Sequence, residues 1–268
     1  MWQQGWAFQI NLNLQGFKKP YRFATMQLFQ KLKLVYRAYK YKTKDDVGGI
    51  AYMLQALASG NTVLDIGAHK AGYLYHIRNK VGIHGRVFAF EPQTVLFQYL
   101  QNIIDIFGWK NVSVHQIALS DSKGLVNLLL PQNSRQKTSS PGATIAQLNN
   151  GINFTATEEI ETDTIDNICA HHNIEPDFLK IDVEGNELKV FVGGVETLKK
   201  YKPKIMVEIE SRHVGKAKAL ETFTFLENIG YKGFALYGFK KIPLSEFSFE
   251  VHQSTTNMKN YCNNFVFE

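Results

Sequence analysis

Apolar runs and helical stripes alternate along most of the chain. Val63 and Leu64 begin a short apolar run that closes on Asp65, Gly67 and Ala68, and a helical stripe follows through Tyr73, Leu74 and Ile77. That order reads as a buried strand, a tight turn and a helix N-terminus. The same alternation recurs downstream. It predicts strands over residues 86–91, 112–119, 125–130, 153–162, 178–183, 204–210, 231–237 and 263–267. Between them it predicts helices over 72–81, 93–107, 164–171, 186–199 and 215–228. Strands 112–119 and 125–130 read as a hairpin around Asp121–Gly124. Apolar strands alternating with helices predict a mainly parallel sheet covered on both faces. Two closing strands with no helix between them predict an antiparallel insertion at one edge.

Upstream the pattern changes. Residues 1 to 20 lack clean periodicity. From Phe23 to Lys42, Met26, Phe29, Leu32, Tyr36 and Tyr39 recur at helical spacing among lysines and arginine. Such a helix either lies on a membrane surface or a partner, or packs on the domain edge with its lysines solvated; packing is the preferred reading. A second helix runs through Ile50, Met53 and Leu57, with Asp45 and Asp46 at its start as a cap. Residues 1–44 are therefore read as a basic, partly helical arm, and 45–268 as one domain.

Charge sharpens this division. The chain has a net charge of +6, yet the arm alone carries nine basic residues and no acid. The remainder has 21 basic against 24 acidic residues, which argues against a nucleic-acid surface on the body. The two cysteines, Cys169 and Cys262, lie far apart without metal-ligand spacing, as expected of incidental thiols in a reducing, cytoplasmic setting. No apolar stretch reaches the ~20 residues that cross a bilayer, and no secretory signal is evident.

The acids fall at strand ends, where open parallel sheets bind ligands. Asp65 ends the first strand and Glu91 the second; Lys180, Asp182 and Glu184 alternate at a later one; Glu208 and Glu210 end the next, with His213 three residues on. Any one of them reads equally well as a surface carboxylate or a helix cap. Four strands all ending in acids fit that explanation poorly. A carboxylate such as Glu91 suits a ribose diol, because it accepts two hydrogen bonds. Small residues in the first turn allow close approach of a ligand to the backbone. The turn lacks both G-x-x-x-x-G-K-[ST] and G-x-G-x-x-G, and Asp65 would repel a pyrophosphate. A cofactor combining a ribose with a cationic centre fits better, which points to S-adenosylmethionine.

The ordered blocks Val63-Leu64-Asp65-Ile66-Gly67-Ala68, Phe90-Glu91-Pro92, Ala118-Leu119-Ser120, Thr162-Asp163-Thr164-Ile165-Asp166 and Leu179-Lys180-Ile181-Asp182-Val183-Glu184-Gly185-Asn186-Glu187 resemble the FkbM-type S-adenosylmethionine-dependent methyltransferases over about residues 60 to 268. The resemblance implies an α/β, Rossmann-like class I methyltransferase fold with seven strands, the last reversed. It implies that Asp65, Gly67, Ala68, His69 and Gly72 form the methionine-side loop, that Glu91 binds the ribose, that Ala118 and Leu119 lie near the adenine, and that Asp182 sits between cofactor and acceptor. Many members have Asn where His69 stands and Gly where Ala71 stands, so this chain carries a variant turn.

The expected reaction is O-methylation of a sugar or other small metabolite by in-line displacement, with no nucleic-acid partner. Asp182 and Glu184, with Glu208, Glu210 or His213, are the candidates for a general base. The same groups form a possible but disfavoured divalent-metal site. The polar stretch 131–150 is the candidate for acceptor selection. Two other readings compete: a methyltransferase for nitrogen or RNA, and a non-catalytic scaffold that holds a partner or membrane through the basic arm.

Overall fold

Residues 19–131, 143–145, 154–254, 256 and 261–268 are described by a computed structural model. Helix α1 (Lys19–Lys40) and a π-helical turn (Tyr41–Asp45) lead into α2 (Val47–Ala56). The strand–turn–helix read from the sequence is β1 (Thr62–Ile66) followed by α3 (Gly72–Val81), then β2 (Arg86–Phe90), α4 (Thr94–Phe107) and β3 (Val112–His115). Next come β4 (Ala118–Leu119), β5 (Gly124–Pro131), β6 (Phe154–Asp163), α5 (Ile165–His172) and β7 (Phe178–Ile181). The chain continues through α6 (Glu187–Val192), α7 (Val195–Tyr201), β8 (Lys204–Glu208), α8 (Ser211–Val214) and α9 (Lys216–Asn228). It closes with β9 (Gly233–Tyr237), β10 (Lys240–Pro243), α10 (Phe249–His252) and β11 (Asn264–Phe267).

The main sheet has the order β10-β9-β11-β8-β7-β1-β2-β3. Strands β3, β2, β1, β7 and β8 run parallel, while β11 is antiparallel to both neighbours. This is the doubly wound class I methyltransferase architecture, with β10 added at the edge. The reversed strand lies inside the sheet, between β8 and β9, and not at an edge. Its register, Phe265 against Val207 and Ala235, lets Phe265 and Phe267 enter the core fully buried.

Apolar residues fill both faces, as period-2 alternation requires. Leu64, Ile66, Leu179, Ile181, Ile205 and Val207 face α5–α9, and Val63, Val87, Phe178, Met206 and Val266 face α1–α4. The expected cap at Asp46 forms, its Oδ1 accepting from Gly49 N at 2.9 Å, and Thr164 caps α5 likewise, its Oγ1 accepting from Asn167 N at 3.1 Å.

Three further sequence-based expectations change. The strand expected over 112–119 is two strands in different sheets. β3 stops where β2 stops, so residues beyond His115 have no partner in the main sheet; Ala118 and Leu119 pair instead with Thr162 and Asp163. The expected hairpin is replaced by a three-stranded sheet, β4-β6-β5, in which β5 pairs antiparallel with β6 and not with β4. The helix expected over 186–199 breaks at Gly193–Gly194, where a Cβ on Gly193 would collide with the Ser120 carbonyl oxygen.

Helix α1 packs against α3 and α4, but not through the stripe its periodicity picks out. Leu34 and Ala38 are fully buried, whereas Leu32, Tyr36 and Tyr39 are each 60% exposed or more. Arg37 donates to Lys70 O at 2.8 Å and Tyr99 OH at 2.9 Å, and His76 Nε2 lies 2.8 Å from Ala38 O.

Candidate active site

The site is built at the C-terminal ends of β1, β2 and β7. These three strands are adjacent, so their last residues converge on one edge. After β1 the chain turns through Gly67 at φ +80°, His69 at +46° and Ala71 at +62°. A Cβ on Gly67 would meet the Asp182 carbonyl oxygen, so only glycine brings the two loops this close. Asn and Gly accept the left-handed region readily. That is the physical sense of the Asn and Gly common at positions 69 and 71, and His69 and Ala71 adopt the same conformation at a cost.

Four amides of the turn already have acceptors. Gly67 N and Ala68 N donate to Phe90 O at 2.9 and 3.1 Å, Ala71 N donates to Ala68 O at 2.9 Å, and His69 N donates to Glu91 Oε2 at 2.9 Å. Those four are not available to a phosphate, as the amides of a glycine-rich cradle would be. Glu91, buried at the end of β2, also accepts from Gln93 N at 3.0 Å. Burial pushes its carboxyl up to about 7, against the pull of those two backbone donors. Each of its oxygens retains a lone pair for a further donor.

Asp65 lies one layer below. It is completely buried, and neither carboxylate oxygen has a hydrogen-bond partner among the described residues. Its compensation is Lys180 on the neighbouring strand β7, with Nζ 3.8 Å from Asp65 Oδ1. Lys180 also donates to Gly67 O at 3.0 Å and lies 3.4 Å from Asp182 Oδ2. Burial raises the Asp65 carboxyl to about 6, with Lys180 restraining the rise. Burial opposes the Lys180 charge, but Asp182, Asp65 and Glu208 outweigh it and hold the ammonium above its ordinary range. One buried lysine thus fastens the β1 turn to the β7 loop.

These loops enclose a cavity of about 270 Å³. Of the residues singled out in the sequence, Gly67, His69, Glu91, Ala118, Leu119, Asp182 and Glu184 line it. Asp65, Ala68 and Gly72 do not: Asp65 faces Lys180, Ala68 packs into the core, and Gly72 backs onto the Tyr41 ring. Sequence reasoning missed Tyr41, Phe90, Gln93 and Asn186 as wall residues. Ala143–Ile145, also on the wall, lies within the polar stretch 131–150 expected to select the acceptor. The rest of that stretch, apart from Pro131, lies outside the described residues. Among the described lining residues none is Lys or Arg, while Glu91, Asp182, Glu184 and Glu208 are acids. His69 Nε2 is buried without a partner among the described residues, and burial lowers that imidazole to about 4.

Glu210 and His213 lie in an adjoining recess with Asp182, Glu184, Glu187 and Glu208. His213 Nδ1 is 3.2 Å from Glu184 Oε2, and this hydrogen bond raises the imidazole pKa. Glu184 stands at φ +54°, a left-handed conformation uncommon for a residue other than glycine. Glu210 is occupied by Arg212, whose Nη2 donates to Oε1 at 2.9 Å, and by Tyr261 OH at 3.3 Å. Burial and the neighbouring Asp182 and Glu210 carboxylates drive Glu208 well above the carboxylate range. Among the described residues no three His, Cys, Asp or Glu side chains converge to hold a metal ion.

The methyltransferase FkbM domain model matches residues 65–232, which contain every block of the cavity wall from β1 to β8. The chain belongs to the FkbM methyltransferase family. The methyltransferase FkbM of Methylobacillus flagellatus superposes with a TM-score of 0.53 at 17% identity, covering 79% of this chain and 44% of that protein. The chain thus spans less than half the length of that FkbM protein. A methyltransferase from Aquifex aeolicus gives a TM-score of 0.44 at 16% identity, covering 85% of this chain and 91% of that one. An O-methyltransferase from Thermotoga maritima gives 0.41 at 13% identity, covering 81% and 62%. No curated protein matches the sequence. Among the described residues no helix of this FkbM-family chain is long and apolar enough to cross a membrane.

Proposed function

We propose that the protein is an S-adenosylmethionine-dependent O-methyltransferase acting on a hydroxyl of a sugar or another small metabolite. One observation carries this reading: the cavity is walled by acids and by a turn in which the amides of Gly67, Ala68, His69 and Ala71 already have acceptors, with no lining cation among the described residues. That chemistry suits a ligand with a diol and a positive centre and disfavours a pyrophosphate. Glu91 and Asp182 follow strands on either side of β1, two strand spacings or about 10 Å apart. Glu91 would hold the ribose hydroxyls, Ala118 and Leu119 the adenine, and Asp182 with the unpartnered His69 ring the methionine end. When bound, the cofactor supplies an electrophilic methyl group on a sulfonium.

The chain's own task is to orient the acceptor hydroxyl and to take its proton. The Glu184–His213 pair is suited to this. A carboxylate on Nδ1 fixes the imidazole tautomer and leaves Nε2 to accept the proton. Glu210, held by Arg212 and Tyr261, positions the recess and is not the base. Acceptor choice falls to the cavity wall that includes Ala143–Ile145. A cytoplasmic setting suits Cys169 and Cys262, both buried as free thiols.

The test is calorimetry with S-adenosylmethionine, followed by tritiated-methyl transfer to cell extract and isolated glycans. Glu91→Ala removes two hydrogen bonds to a charged acceptor, each about 1.5–3 kcal/mol, so affinity falls at least a hundredfold. Absence of binding at sub-millimolar cofactor, or unchanged binding by Glu91→Ala, defeats the proposal.

A further inference from the structure

We infer that α1 is a docking helix for an anionic lipid surface. Leu28, Phe29, Leu32, Val35, Tyr36 and Tyr39 lie on one side of α1, and they are 57%, 38%, 60%, 40%, 67% and 62% exposed. This stripe points away from the body, because the opposite side, Leu34 and Ala38, is the one that packs. The exposed lysines Lys31 and Lys42 border it on one flank, and Lys33 and Lys40 on the other. Lys33, Lys42 and Lys44 have no ion-pair partner among the described residues. An apolar stripe between two rows of lysine is what a helix lying in a lipid headgroup layer requires.

Charge selects the occupant. Residues 1–44 carry nine basic residues and no acid, so whatever covers the stripe must be apolar and anionic. A second copy seated symmetrically would set lysines against lysines. The chain's own first 18 residues offer no acid to neutralise them. An anionic lipid surface satisfies both requirements. Tyr41, one residue past α1, lines the cavity, so docking brings the cavity within reach of that surface. The inference does not rest on the methyl-transfer reading.

The test is flotation of the full chain, without cofactor, on phosphatidylcholine vesicles and on vesicles that also contain phosphatidylglycerol. Binding is expected only to the anionic vesicles, and it should weaken with added salt. Lys31→Glu with Lys33→Glu should cost roughly fivefold per lysine or more. Leu32→Glu with Tyr36→Glu should cost at least about tenfold. Because both stripe residues are exposed, the urea midpoint of that variant should match the wild type. Absence of flotation on anionic vesicles at low salt overturns the inference. So does equal flotation of the stripe variant, which would assign binding to residues outside α1. A concentration-dependent dimer that the stripe variant abolishes, with lipid ignored, overturns it in favour of a second copy.

Discussion

Replacing Lys180 by methionine removes the single buried cation between Asp65 and Asp182 and keeps most of the side-chain volume. At 3.8 Å from Asp65 and an effective dielectric constant of about 20, the lost attraction is about 4 kcal/mol. Asp182 is partly exposed and adds less, since solvent screens it. The stranded Asp65 has no other partner among the described residues, and a buried pair broken on one side typically costs about 3–5 kcal/mol. The cost must depend on pH. Asp65 already has a folded-state pKa near 6 against an ordinary 3.8; without Lys180 it rises further. An acid with a raised folded pKa contributes stability that is lost as pH climbs from its unfolded value toward its folded one. At pH 5 the variant's Asp65 takes up a proton and the loss is small. By pH 8 the loss approaches its full size, growing by up to about 1.4 kcal/mol per pH unit. Urea unfolding followed by circular dichroism at both pH values measures this. Asp65→Asn added to Lys180→Met should recover at least about 1 kcal/mol at pH 8. A pH-independent loss below about 1 kcal/mol, or no recovery in the double variant, refutes the charge argument.

The remaining expectations concern the two loops that meet at the cavity. Gly67→Ala must relieve both a positive φ and a collision with Asp182 O; the expected loss is about 3 kcal/mol or more, and a thermal midpoint within about 2 °C of the wild type contradicts it. Glu187 is buried with its carboxyl raised to about 7 from 4.5 and accepts from Gly185 N at 2.8 Å. Its ionisation therefore lowers stability as pH rises between those values. Glu187→Gln should gain about 1–3 kcal/mol relative to the wild type between pH 5 and pH 8, and parallel pH profiles of the two proteins would show that Glu187 does not titrate there.

Much of the site is legible in the local sequence. The run from Val63 to Gly72 signals its own strand, turn and helix through an apolar run, small residues and a helical stripe, all within a dozen positions. Acids at strand ends are legible for a related reason, since the end of a parallel strand is also the mouth of the sheet. Membership of one cavity is not legible. Asp65 and Asp182 both follow apolar runs, yet one turns down onto Lys180 and the other lines the cavity. Side-chain alternation puts Asp65 on the same face as Val63, the one covered by α1–α4, where Lys180 is its register partner.

Tertiary structure decided the rest. Periodicity identified an apolar stripe on α1 but could not say which side would meet the body. The packed side is Leu34 and Ala38, which fit against α3 and α4 and are backed by Arg37 bonded to Lys70 O, a carbonyl in the turn after β1. Strand 112–119 split because β2 ends at Phe90 and left it no partner, and β11 entered the sheet interior because β8 and β9 both lacked a neighbour there. Local spacing in a chain determines what an element can bury. Which surface it buries against is set by residues tens of positions away, and for Asp65, α1 and β11 only the assembled sheet supplies them.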